Sequence, residues 1–245
     1  IFSSIIKMSI ATSNLTSGFI DLATYDEQEK YTYGGSESIA YFVREVRKST
    51  WFTQVPVVLS KSSGQSGFGQ VVGVQAMEMA FERVAAHGAC IFSLASAHHL
   101  GRIGHFAEMA VAQGLVSVHF VNVLSRPVVA PFGGGDGRFG TNPCCIGVPM
   151  GNRQPFVLDF ATSRVAQGKM RVAHNKGEQV PDGYLIDEKG HPTNNPGVVV
   201  VPQSNGFFGA LMTFGEHKGF GMAMACELLG SALTGGGTWH READD

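Results

Sequence analysis

The chain has 245 residues, 44% hydrophobic and 16% charged, with a net charge of −2. That is globular composition, enough for one large domain or two small ones, and the scattered basic residues argue against a nucleic-acid partner. No apolar run reaches the roughly 18 residues that span a bilayer, and Ile1-Phe2-Ser3-Ser4-Ile5-Ile6-Lys7 is too short and ill-patterned for a signal peptide, so no membrane association and a cytoplasmic location are expected. The four cysteines, Cys90, Cys144, Cys145 and Cys226, form no CxxC pair, and the expectation is free buried thiols.

Residues 1–35 are Ser/Thr-rich and poorly patterned. Helical spacing runs from Ser38 to about Lys48, with Ile39, Phe42, Val43 and Val46 on one face. Val55 to Leu59 resembles a short strand, weakened by Pro56. After a small-residue loop, Ser62 to Gly69, an amphipathic helix is expected over Gln70 to Ala86, stopped at His87-Gly88. Ala89 to Ala95 has the apolar density of a buried strand. Gly104 to Gln113 is expected to be a helix closed by Gly114, and Val116 to Val123 a strand.

A Gly-rich loop covers 130–143. Phe156 to Phe160 is a short strand, and Thr162 or Ser163 is placed to cap a helix reaching about Val172. Residues 175–197 are rich in turn formers. A last helix is expected from about His217 to Leu233, stopped by Gly235-Gly236-Gly237. Strands and helices alternate, which predicts α/β or α+β architecture.

Two glycine patterns imitate a dinucleotide fingerprint. Gly135-Asp136-Gly137-Arg138-Phe139-Gly140 is followed by Thr141-Asn142-Pro143, and Pro143 blocks the helix whose N-terminus the fingerprint needs. Gly67-Phe68-Gly69-Gln70 does precede a helix. The next strand, however, ends Leu94-Ala95-Ser96-Ala97-His98, without the acid that holds ribose hydroxyls. It is either a phosphate loop or a plain helix-entry turn.

His98 and His99 follow a buried strand, where a histidine either transfers a proton or is merely hydrogen-bonded. No carboxylate or HxxxH set accompanies them, so no metal site is expected. Asp159 ends a strand just before a helix; it could cap that helix or hold a histidine in one tautomer. The free amides there could receive a phosphate. Lys218 opposes the dipole of its helix, which an anionic ligand would explain.

Several stretches together resemble the type-2 malate/L-lactate dehydrogenase family, over roughly residues 67–240. They are Gly67-Phe68-Gly69-Gln70, His98-His99-Leu100-Gly101-Arg102-Ile103-Gly104, Val129-Ala130-Pro131-Phe132-Gly133, Arg138-Phe139-Gly140-Thr141-Asn142-Pro143, Leu158-Asp159-Phe160-Ala161-Thr162-Ser163, Gly168-Lys169 and Glu216-His217-Lys218-Gly219. Seven weak motifs in order are specific. The segments Arg171-Val172-Ala173, Gly183-Tyr184-Leu185-Ile186-Asp187 and Thr213-Phe214 point to the hydroxycarboxylate dehydrogenases within it.

The resemblance implies a non-Rossmann fold with a largely antiparallel mixed sheet flanked by helices. It implies NAD or NADP as cofactor, a small 2-oxo or 2-hydroxy acid as substrate, and a homodimer. It divides the chain into an incomplete N-terminal helical segment (1–65), a cofactor-binding domain (66–216) and the start of a truncated C-terminal helical segment (217–245). His99 and Asp159 would be the catalytic pair. Asn122, Asp159, Phe160, Ala161, Thr162, Ser163, Lys169, His217, Lys218 and Gly219 would contact the cofactor.

The family pattern also has an N-terminal Asp-Ser-His-Gly and a nearby arginine for the substrate carboxylate. Here Glu37 aligns with that histidine, Ser38 with the glycine and Tyr41 near the arginine, and a glutamate would repel a substrate carboxylate. The segment between Val46 and Gly67 is shorter than the pattern, and the chain ends at Asp245 where the pattern continues. The expectations are therefore a 2-hydroxy-acid dehydrogenase impaired at these points, or an inactive member or fragment that keeps nucleotide binding or dimer assembly only.

Overall fold

The computed structural model describes residues 2–10, 58–232 and 234. The helix expected at Ser38 to Lys48, the positions Glu37, Ser38 and Tyr41, and the Gly235-Gly236-Gly237 stop lie outside the described residues.

The strands of the main sheet are β1 (Phe2–Ile10), β2 (Val58–Ser63), β3 (Ala89–Ala97), β4 (Leu115–Val123), β5 (Cys144–Val148) and β6 (Phe156–Phe160). They lie in the order β2-β3-β1-β4-β5-β6. Among the described residues β2 and β3 run parallel, joined through a helix, and every other neighbouring pair is antiparallel. This is the largely antiparallel mixed sheet that the resemblance implied.

Helix α1 (Gly69–His87) buries Gly69, Gly73, Ala76, Met77, Ala80 and Val84, the three-and-four spacing of one helical face. It stops at Gly88, whose φ of 80° is left-handed and whose amide donates to Val84 O at 2.7 Å. Helix α2 (Gly104–Ala112) buries Phe106, Ala107 and Ala110. Both helices pack on the sheet face that carries Phe92, Leu94, Val121 and Cys145, and together these make the main core. Burying a side chain such as Met77 or Phe92 contributes on the order of 1.5–3 kcal/mol.

A smaller layer follows. Helix α3 (Gln167–Lys176) and the three-stranded sheet of β7 (Leu185–Ile186), β8 (Pro192–Thr193) and β9 (Ala210–Leu211) enclose a second core around Met170, Leu185, Val199 and Leu211. The Gly-rich loop is an excursion closed at its base, where Val129 and Phe139 exchange backbone hydrogen bonds of 2.9 and 3.1 Å. Strand β5, not a helix, follows Pro143. Helix α4 (His217–Glu227) runs into a π-helical turn, Leu228–Ala232. It is tied to the sheet by Asn142, which donates to Glu227 Oε1 at 3.0 Å and accepts from the Val123 amide at 3.0 Å.

Four expectations need correction. Phe2–Ile10 is a strand between β3 and β4, although its residues show no clear period, so the described part of the N-terminal segment joins the sheet and is not helical. The strand expected at Val55 to Leu59 is observed at Val58–Ser63, so Ser62 and Ser63 are ladder residues rather than loop. Cys144–Val148 is a strand that short length and Gly147 concealed. Helix α3 starts three or four residues later than expected, with Ala166 as its N-cap and no side-chain cap bond. The Thr162 hydroxyl donates instead to Thr141 O at 3.1 Å and the Ser163 hydroxyl to Val165 O at 2.8 Å.

His119 sits on the inner face of β4, 2% exposed, with Nε2 and the Ser117 hydroxyl 3.0 Å apart. Burial holds its pKa down to about 4 from 6.5. Between those values the unfolded chain binds the proton and the folded one does not, so stability falls as pH drops from about 6.5 towards 4. The difference corresponds to roughly 3 kcal/mol at most. Urea unfolding at pH 7 and pH 4 should show this loss, and His119→Asn should abolish most of it; an unchanged pH dependence in the variant would contradict the assignment.

Candidate active site

The turn at 64–69 fastens the segment that carries the histidines. Gly64 N donates to Ala95 O, Ser66 N to Ser96 O and His98 N to Gly67 O, at 2.7, 2.7 and 3.2 Å. Gly69 lies so close to the His98 and His99 carbonyl oxygens that a Cβ has no room. This side of the glycine pattern therefore faces backbone carbonyls, which repel an anion. The turn braces the 98–103 loop. Ser96, just before that loop, has φ 55°, a conformation that costs a non-glycine residue about 1–3 kcal/mol.

The His99 side chain is exposed, and its Nδ1 accepts the Gly101 amide at 2.9 Å. An accepting Nδ1 puts the proton of the neutral ring on Nε2. His98 is exposed beside it.

Asp159 reaches the same segment from β6. Its Oδ2 accepts the Gly104 amide at 2.8 Å, at the N-terminus of α2. It thus caps α2, not the helix that follows it in sequence. A Cβ at Gly104 would crowd both Asp159 Oδ2 and Arg102 Nη1, so glycine lets the two charged groups share this helix end. Arg102 pairs with Glu108 through bonds of 2.9 and 2.6 Å, which raise the arginine and lower the glutamate from their ordinary values. Asp159 is engaged by Gly104, not by the His99 ring; the two catalytic candidates meet through the 99–104 loop.

Strand alternation explains this placement. Asp159 is opposite Cys145, which is buried in the α1–α2 core. Burial first, then the Asp159 carboxylate, pushes the Cys145 thiol up to about 12, so it stays protonated and unreactive. Leu158 and Phe160 point to the other face. There they line a cleft of about 590 Å³ with Ala161, Ser163, Arg164, Val165, Ala166, Lys169, Tyr184 and Phe214.

Backbone bonds build the cleft wall. Thr162 N donates to Thr141 O at 2.9 Å, Phe214 N to Thr162 O at 3.1 Å, and Arg164 N to Met212 O at 2.7 Å. The rings of Phe160 and Phe214 meet edge to face with centroids 5.4 Å apart. Gly219 N donates to Phe214 O at 3.0 Å, and the His217 ring meets Phe132. Segments 159–163 and 217–219 therefore converge through Phe214.

Thr162 and Ser163 are buried in the wall, Lys169 is exposed on the first turn of α3, and Lys218 is exposed at the start of α4. Asn122 is buried within β4. Arg164, Tyr184 and Phe214 also line the cleft, although none was among the expected site residues. Their signal was adjacency to the Thr162-Ser163, Gly183-x-Leu185 and Glu216-His217 motifs. Among the described residues no group of three or more potential metal ligands converges, and no helix is long and apolar enough to cross a membrane.

A sequence model described as malate/L-lactate dehydrogenase matches residues 46–245. Hydroxycarboxylate dehydrogenase B of Escherichia coli (strain K12) is 49% identical over 179 residues, 73% of this chain and 48% of that protein. L-lactate dehydrogenase of Cupriavidus necator is 49% identical over 177 residues, covering 71% and 50%. The crystal structure of delta1-piperideine-2-carboxylate reductase from Pseudomonas syringae superimposes with a TM-score of 0.66 at 33% identity, covering 74% and 52%. The chain spans about half the length of these relatives. It belongs to the malate/L-lactate dehydrogenase family.

Proposed function

We propose that this chain carries the dinucleotide-binding and proton-handling parts of an NAD(P)-dependent oxidoreductase that interconverts 2-oxo and 2-hydroxy acids. The observation that carries this reading is the cleft beside β6, because family segments distant in sequence form its wall. Its volume of about 590 Å³ suits one end of a dinucleotide. Phe160, Tyr184 and Phe214 offer aromatic surface and Arg164 and Lys169 offer positive charge, which fits adenine and phosphate chemistry. The substrate class rests on the names of the relatives, which are those of hydroxycarboxylate, lactate and malate dehydrogenases.

When bound, the nicotinamide supplies the hydride chemistry. The residues of the chain bind, orient and handle one proton. Phe160, Ala161, Ser163 and Lys169 hold the dinucleotide from the β6 side, with Thr162 bonded into the wall behind them, and His217 and Lys218 hold it from the start of α4, where Gly219 packs on Phe214. Asn122 supports the sheet beneath.

His99 presents Nε2–H to the oxygen of the 2-oxo group, stabilising the negative charge that develops there. A second proton on the ring, at Nδ1, requires release of the Gly101 amide. Proton delivery is thereby coupled to movement of the 99–101 turn. Asp159 positions this loop by holding the first turn of α2.

The purified chain, mixed with NADH or NADPH and a panel of 2-oxo acids, should consume reduced nicotinamide with at least one of them. His99→Gln should lower kcat by about 10²–10⁴-fold and leave dinucleotide affinity in place. Absence of consumption with every acid would contradict the reading, and binding without turnover would favour an inactive member.

Asp159→Ala should cost about 1–2 kcal/mol of stability and speed hydrogen exchange at the Gly104 amide. Asp159→Asn, which keeps an acceptor, should restore most of that stability. If Asp159 positions the His99 loop, kcat should fall in the alanine variant while the dinucleotide Kd holds. A Kd that rises while kcat is constant would show that Asp159 acts on the dinucleotide instead.

A further inference from the structure

Among the described residues, the cleft beside β6 contains two cations with no counter-charge. Arg164 and Lys169 both line it and are both exposed. Neither appears in an ion pair among the described residues, unlike Arg102 and Arg138, which pair with Glu108 and Asp136. Among the described residues no carboxylate lines the cleft: Leu158 and Phe160 face it, and alternation along β6 turns Asp159 to the opposite face, onto Gly104.

Arg164 is partly fixed. Its Nη1 donates to Gly183 O at 2.8 Å, and a Cβ at Gly183 would collide with that nitrogen. One arm of the guanidinium is thus anchored and the other donors are left for a ligand. Lys169 is on the first turn of α3, where a cation opposes the helix dipole and adds nothing to helix stability.

We infer that this cleft selects the 2′-phosphorylated dinucleotide, so that NADPH is preferred over NADH. The inference rests on the dinucleotide reading of the cleft given above. The aromatic side chains Phe160, Tyr184 and Phe214 provide stacking surface for adenine, which brings the adenosine ribose into this cleft. A site for a free ribose diol commonly places a carboxylate to accept from the hydroxyls, and this lining offers none. A phosphate monoester carries about −1.5 to −2 charge near neutral pH, which matches two unpaired cations. The pyrophosphate is common to both dinucleotides and cannot discriminate between them.

The test is the Kd of the full chain for NADPH, NADH, 2′,5′-ADP and 5′-ADP, measured by calorimetry without substrate. NADPH should bind about 100-fold more tightly than NADH, and 2′,5′-ADP more tightly than 5′-ADP, the ratio expected for two charge-assisted hydrogen bonds of about ten-fold each. Arg164→Ala and Lys169→Ala should each shrink the NADPH:NADH ratio by about ten-fold or more, with the melting temperature unchanged, and Arg164→Lys should retain part of it. Equal affinities, tighter NADH binding, or a preference that survives both alanine variants overturns the inference and leaves the dinucleotide reading intact. Failure of all four compounds to bind overturns both.

Discussion

The two-residue period of β6 is the constraint on which the rest of the candidate site depends. Along five residues it sends Leu158 and Phe160 to a solvent-facing cleft and Asp159 to the helix-covered face. A one-residue slip of β6 against β5 would exchange these faces. The carboxylate would then face the cleft cations, and α2 would lose its cap. Register here is fixed by five pairings with β5, from Cys144–Phe160 to Val148–Phe156. Strand β5 in turn is held by β4, so the site's charge distribution is a consequence of the sheet.

That partition separates two sets of contacts in space. On the helix face, Gly69, Gly101, Gly104 and Asp159 set the path of the 98–104 loop and the tautomer of His99. On the cleft face, backbone bonds from Thr141, Thr162, Met212 and Phe214 build a wall out of three segments that sequence separates by tens of residues. Positive φ at Ser96, Asn142 and Glu216 marks where the chain bends sharply beside these two faces. Such backbone is tolerated because hydrogen bonds on either side leave it no alternative.

How much of this was legible in the sequence follows from the range of the interactions involved. Helix α1 and strands β3 and β4 are long and carry their own signal, a hydrophobic period in α1 and β4 and a dense apolar run in β3, so their existence could be read directly. Strand β1 could not, because Phe-Ser-Ser-Ile-Ile-Lys-Met-Ser-Ile owes its conformation to pairing on both sides with β3 and β4. Strand β5 is short, and Cys144, Cys145 and Gly147 give no alternation. Thr162 and Ser163 look like helix caps, but their hydroxyls are taken by Thr141 O and Val165 O, contacts that local propensity does not contain. In the site, resemblance identified the segments, and only the fold showed that Asp159 turns away from the cleft and that Arg164 turns into it.

The cleft beside β6 is where a dinucleotide should touch the chain. Titrating NADPH into isotope-labelled protein and following the backbone amide resonances tests that most directly. Shifts concentrated at Phe160 to Ala166, Lys169, Tyr184 and Phe214, with Gly67 to Val72 unmoved, are the predicted result. Shifts centred on the Gly67-Phe68-Gly69 turn, or none along β6 and its following segment, would contradict it.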